Sequence, residues 1–112
     1  MASRLGIKAL MLLASLGVAG TAWADDPQFT LVIKDHKFTP AELQVPAGAK
    51  VRLVVRNDDA TPEEFESTEL HREKVVPPGQ QIIVIVGPLD AGTYGFFGDF
   101  HKDSAKGKLI AK

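Results

Sequence analysis

Apolar residues recur at every second position through most of this chain. Phe29, Leu31 and Ile33 alternate with Thr30 and Lys34, the period of a strand with one face in a core. After Pro46-Ala47-Gly48, Val51, Leu53 and Val55 alternate with Lys50, Arg52 and Arg56 until Asn57-Asp58-Asp59 breaks the run, which predicts a central strand closed by a turn. Between these two runs, His36 to Pro46 carries two prolines and the apolar set Phe38, Leu43 and Val45, as an edge segment that changes sheets would. Phe65 to Val76 is polar and weakly patterned. Gln81 to Val86 (QIIVIV) is β-branched after its first residue, predicting a strand buried on both faces. Thr93 to Phe97 and Lys108 to Ala111 form the last two strands around a short loop from Gly98 to Gly107. No helical period is sustained, so short strands spaced by Gly/Pro turns predict an all-β Greek-key β-sandwich.

The first residues follow a different rule. Arg4 and Lys8 precede the apolar run Ala9 to Gly20, which ends in Ala22-Trp23-Ala24, the arrangement of a secretory signal peptide. The run is shorter than the roughly 20 residues a spanning helix needs. The expected organisation is a signal peptide over 1–24 and one small domain over 25–112, exported and not membrane-spanning after cleavage. Two of the 13 basic residues fall in the leader and all 14 acidic residues fall beyond it. The domain therefore carries 11 basic against 14 acidic residues, a net −3, which argues against nucleic-acid binding. The chain has no cysteine, and its two methionines, Met1 and Met11, lie in the leader. Disulfides and thiolate chemistry are excluded, so stability has to come from apolar packing or a bound ion.

Chemistry concentrates in two places. Glu63, Glu64, Glu66, Glu69 and Glu73 crowd one segment with His71 among them. Carboxylates mixed with imidazole suit iron, manganese or copper(II), and a cation would offset their mutual repulsion; a solvated polar edge is the plain alternative. Strict alternation puts Glu63, Phe65, Ser67, Glu69 and His71 on one face and Glu64, Glu66, Thr68 and Leu70 on the other. Glu63 is the favoured ligand, with Glu66, Glu69 and His71 behind it. His101 follows Phe96, Phe97 and Phe100, which either surround an ion or pack the end of the core. Asp99 either ligates beside His101 or orients its ring. His36, between Asp35 and Lys37 at a strand exit, reads as an ordinary turn residue. Lys102, Lys106, Lys108, Arg72 and Lys74 either pair with carboxylates, form a docking surface or are simply solvated.

Three stretches in order, Phe38-Thr39-Pro40 with Val45-Pro46-Ala47-Gly48, Leu53 to Asn57, and Ala91 to Phe96, resemble the cupredoxin family over nearly the whole domain. The resemblance implies a copper site at one end of the sandwich, held by a histidine after the Asn-containing strand and by Cys, His and often Met in the last loop. Here Glu63 stands at the first histidine, Gly98 at the cysteine and His101 at the next histidine, so a blue copper centre is excluded. Glu63 to Ser67, Glu69 to Lys74 and Phe96 to His101 further resemble the EfeO-type cupredoxin-like proteins, including the FtrB component of ferrous-iron uptake systems. That likeness implies a periplasmic protein with a non-blue iron or copper ion. It would help oxidise iron or hand it to an iron permease or other periplasmic uptake protein. The competing expectation is a metal-free module that docks a permease or another partner. Hydrolysis is disfavoured because His101, Asp103 and Ser104 crowd one short loop.

Overall fold

The computed structural model describes residues 26–112; the expected signal peptide lies outside them. Nine strands form two facing sheets: β1 (Gln28–Lys34), β2 (Lys37–Thr39), β3 (Glu42–Val45), β4 (Val51–Asn57), β5 (Glu63–Ser67), β6 (Arg72–Val76), β7 (Gln81–Val86), β8 (Gly92–Phe97) and β9 (Lys106–Ala111). The order is β2-β1-β4-β7 in the four-stranded sheet and β3-β9-β8-β5-β6 in the five-stranded one. β1 runs parallel to β4, and β3 parallel to β9; the other pairs are antiparallel. The segment around Pro40 does change sheets, since β2 pairs with β1 and β3 with β9.

The period-two pattern builds the core. Leu31, Ile33, Val51, Leu53, Val55, Val84 and Val86 from one sheet meet Val45, Phe65, Val76, Phe96 and Leu109 from the other, all buried. Phe38, Phe65 and Phe96 make an aromatic group, with Phe38 edge-on to the other two at 6.2 and 4.9 Å between ring centroids. Such pairs add about 0.5–1.5 kcal/mol beyond the area they bury. Tyr94 packs against the core and donates its hydroxyl to the Asp90 carbonyl at 2.8 Å.

Two expectations need correction. β7 is an edge strand with only one face inside: Ile83 is 46% exposed while Val84 and Val86 are buried. Its β-branched run reflects strand preference rather than two-sided burial. Arg72 shields that edge by donating from Nε and Nη2 to the Ile85 carbonyl at 3.1 and 2.9 Å, one way of blunting an exposed ladder. The acidic segment is also not one extended run, because β5 ends at Ser67 and turns back as β6. Ser67 Oγ accepts the Leu70 amide and donates to the Gly95 carbonyl, and this local bonding competes with continued extension.

The link between β1 and β2 is a two-residue loop, Asp35-His36, with φ of 53° and 58°. Two successive left-handed residues are the mark of the type I′ hairpin turn. That conformation costs L-residues roughly 1–2 kcal/mol each, with Asp and His among the more tolerant.

Candidate metal centre

Glu63 is the first residue of β5 and shares its core-facing side with Phe65 and Ser67. It is 1% exposed, which is costly for a carboxylate unless its oxygens are satisfied. Both are. Oε2 lies 2.6 Å from His36 Nδ1 and accepts the Thr61 hydroxyl at 3.1 Å, while Oε1 lies 3.0 Å from His101 Nδ1. The two imidazole rings stack, centroids 3.6 Å apart and 16° from parallel. One donor atom from each of His36, Glu63 and His101 lies within 4.8 Å of the others.

Three loops bring them together. His36 comes from the β1–β2 turn, and His101 closes the short 3-10 helix Asp99–His101 after β8. The loop from β4 to β5 delivers Glu63, and it is fixed by Asn57, which is fully buried. Asn57 Nδ2 donates to the Thr61 and Val76 carbonyls at 2.8 and 3.0 Å, and its Oδ1 accepts the Asp59 amide at 2.8 Å. Asp59 in turn accepts the amides of Asp35 at 2.7 Å and His36 at 3.0 Å. Burial works to raise the Asp59 carboxyl, but these two amides, a bond shared with Glu63 and the neighbouring His36 together hold it below its ordinary value.

The other residues singled out from the sequence fall elsewhere. Glu66 and Asp99 join Glu64 in a separate carboxylate group, where Glu64 Oε1 accepts the Asp99 amide at 2.8 Å and Lys102 pairs with Asp99 at 3.1 Å. Burial, then hydrogen bonding to and repulsion from Glu64 and repulsion from Asp99, push the Glu66 carboxyl up, with Lys102 opposing. Glu69 accepts the Gly95 amide at 2.9 Å. His71 is exposed at φ 55° in the β5–β6 turn, past the end of β5 remote from Glu63. Of the aromatic run before His101, Phe96 is in the core and Phe100 is 49% exposed.

His36 is the participant that the pattern of the chain hides. Its backbone is the turn residue its sequence context suggests, but its ring points at Glu63. The available signal was Asp-His between two strands, a loop too short for either side chain to leave the end of the sandwich.

The donor set decides what could bind. Two imidazoles and a carboxylate suit Cu(II), Zn(II), Fe or Mn rather than Cu(I). Bonds of about 2.0–2.1 Å in tetrahedral geometry space donors ~3.3 Å apart, so a slight widening of the present contacts would admit an ion between them. A thiolate site does not fit. A Cβ on Gly98 would stand 2.9 Å from the Glu64 carbonyl oxygen and 3.1 Å from Ala105 Cβ, so this backbone leaves no room for a cysteine there.

Comparison with known proteins agrees with the fold. A family model described as a cupredoxin-like domain matches residues 6–111, and the chain belongs to that family. An uncharacterised protein of Rickettsia prowazekii is 52% identical over 80 residues, 71% of this chain and 64% of that relative; the match spans less than two thirds of the relative's length. Among solved structures, auracyanin A, a blue copper protein of Chloroflexus aurantiacus, superposes with a TM-score of 0.66 at 17% identity over 76% of this chain and 98% of that one. Amicyanin from Paracoccus versutus gives 0.61 at 20% over 81% and 87%. A purple cupredoxin of Nitrosopumilus maritimus gives 0.57 at 19% over 78% and 100%. At these identities the likeness establishes the sandwich alone.

Proposed function

We propose that this protein is a periplasmic metal-binding cupredoxin-like domain that holds one iron or copper ion between His36, Glu63 and His101, and that it serves ferrous iron oxidation or delivery to an iron permease. The observation that carries the reading is Glu63: a carboxylate 1% exposed at the end of a sandwich, with an imidazole Nδ1 facing each oxygen. Two imidazoles converging on one buried carboxylate make a ligand set. The iron-uptake role rests on the EfeO-type resemblance of 63–74 and 96–101, and the periplasmic location on the leader.

A bound copper would supply a one-electron acceptor, and hard oxygen donors favour Fe(III) over Fe(II). The chain's own part is to hold the ion on the buried Glu63 carboxylate and to leave part of each imidazole toward solvent, since the His36 and His101 side chains are 40% and 32% exposed. A sustained oxidation needs a further electron acceptor, so the partner of this module is either a second redox centre or the permease assembly itself.

Titration calorimetry with Fe(II), Cu(II), Mn(II) and Zn(II) tests the reading. Micromolar or tighter binding of at least one ion, lost in Glu63→Gln, is the expected result. Affinity no better than millimolar for every ion would leave the metal-free docking module as the better account.

A further inference from the structure

Asp59 has no place in a three-donor set, yet its carboxylate is 9% exposed and sits 3.5 Å from His36 Nδ1. We propose that Asp59 is the positioning residue of the metal centre, holding the β1–β2 turn so that the His36 imidazole meets Glu63. This rests on His36, Glu63 and His101 being the ligands.

Each carboxylate oxygen of Asp59 takes a different amide of the turn, Oδ1 that of Asp35 and Oδ2 that of His36. These bonds cross between segments far apart in sequence and are the polar side-chain ties between the turn and the β4–β5 loop. The tie holds a turn of unusual composition. Both of its residues hold positive φ without being glycine, and its amides would otherwise face solvent. Asp59 is itself anchored, because its amide is held by buried Asn57 and the adjacent Asp58 amide donates to the Ile33 carbonyl at 2.8 Å. The same loop supplies Thr61, whose hydroxyl reaches Glu63 Oε2. One short loop therefore orients the buried carboxylate directly and the distant imidazole through Asp59. Among the described residues the His36 ring stacks on His101 and meets Glu63, and with 40% of its side chain exposed it has room to swing away.

A carboxylate so close to an ion could instead act through its charge alone. The two roles separate in a double-mutant cycle. Copper(II) affinity is measured by chelator competition for the wild type, Asp59→Ala, His36→Ala and the double variant, and nitrogen coupling is read by electron paramagnetic resonance. A positioning role predicts that Asp59→Ala weakens binding ~10–100-fold, the usual effect of losing an outer partner of a ligand. The spectrum should then lose one imidazole nitrogen, and Asp59→Ala should cost nothing further in the His36→Ala background. Asp59→Asn, which keeps one acceptor, gives the same pattern at smaller amplitude and covers poor folding of the alanine variant. Equal weakening in both backgrounds, or two coordinated imidazoles retained in Asp59→Ala, would overturn the proposal.

A metal-free arm judges the tie independently. In wild-type protein, nuclear magnetic resonance should show His36–His101 ring contacts and slow exchange of the Asp35 and His36 amides. Both should be lost in Asp59→Ala while the core signals stay. If no ion binds the wild type, the ligand reading fails, and this arm still decides whether Asp59 sets His36; unchanged contacts and exchange would reject the tie.

Discussion

His36 and His101 come from different sheets, yet their rings lie face to face at 3.6 Å and present Nδ1 to opposite oxygens of Glu63. His36 belongs to the turn that ends the four-stranded sheet's β1, and His101 to the loop of the five-stranded sheet. The site is thus a seam across the end of the sandwich, and neither sheet could make it alone.

Removing any one of the three donors should damage binding more than removing an orienting residue. His36→Ala, Glu63→Gln and His101→Ala are each expected to weaken the preferred ion by about 100-fold or more, beyond the 10–100-fold range of outer partners. Chelator competition monitored by fluorescence or absorption checks this. His71→Ala and Glu69→Ala, whose positions lie past the other end of β5, should bind like the wild type.

Saturating metal should raise thermal stability. An ion present at 100 times its dissociation constant adds about 2.7 kcal/mol when it binds only the folded state. Melting followed by circular dichroism, with metal and then with excess chelator, should show a reversible shift of roughly 10–20 °C that Glu63→Gln abolishes.

Restoring the missing thiol at its family position should fail. Gly98→Cys puts a Cβ against the Glu64 carbonyl oxygen and Ala105, and overpacking of this kind costs roughly 1–3 kcal/mol. Urea unfolding should report the loss, and copper-loaded protein should lack the intense visible thiolate band.

The Glu64–Glu66–Asp99 group carries a pH signature. Because the Glu66 carboxyl is pushed up in the folded protein, its contribution to stability is complete below its unfolded value and is lost as pH rises through the folded value. Glu66→Gln should therefore melt higher than the wild type at neutral pH, with the difference closing below about pH 4. Melting temperatures across that range decide the sign.

Much of this architecture is legible in the alternation of single residues. Leu31, Ile33, Val51, Leu53 and Val55 point inward as their period requires, because a strand has only two faces and one of them is water. The QIIVIV strand misleads for a related reason: β-branched residues suit any strand, so composition alone does not tell an edge from an interior. At the site, Glu63 and His101 stand out by family position and by chemistry, and the structure brings them together. Their partner His36 does not stand out, since its placement depends on a turn conformation held by Asp59 from another loop. Glu69 and His71 look equivalent to Glu63 only while the chain is assumed straight, and the Ser67 bonds that end β5 remove them from the line.

The seam between the sheets also bears on how the molecule keeps its shape. In a cysteine-free domain, an ion seated among residues 36, 63 and 101 would join early, middle and late parts of the chain, as a disulfide bridge does in small cysteine-rich folds. Such a fastening is indifferent to thiol reductants and sensitive to chelators. The folded lifetime of the protein would then follow the supply of metal around it rather than the redox state of its compartment.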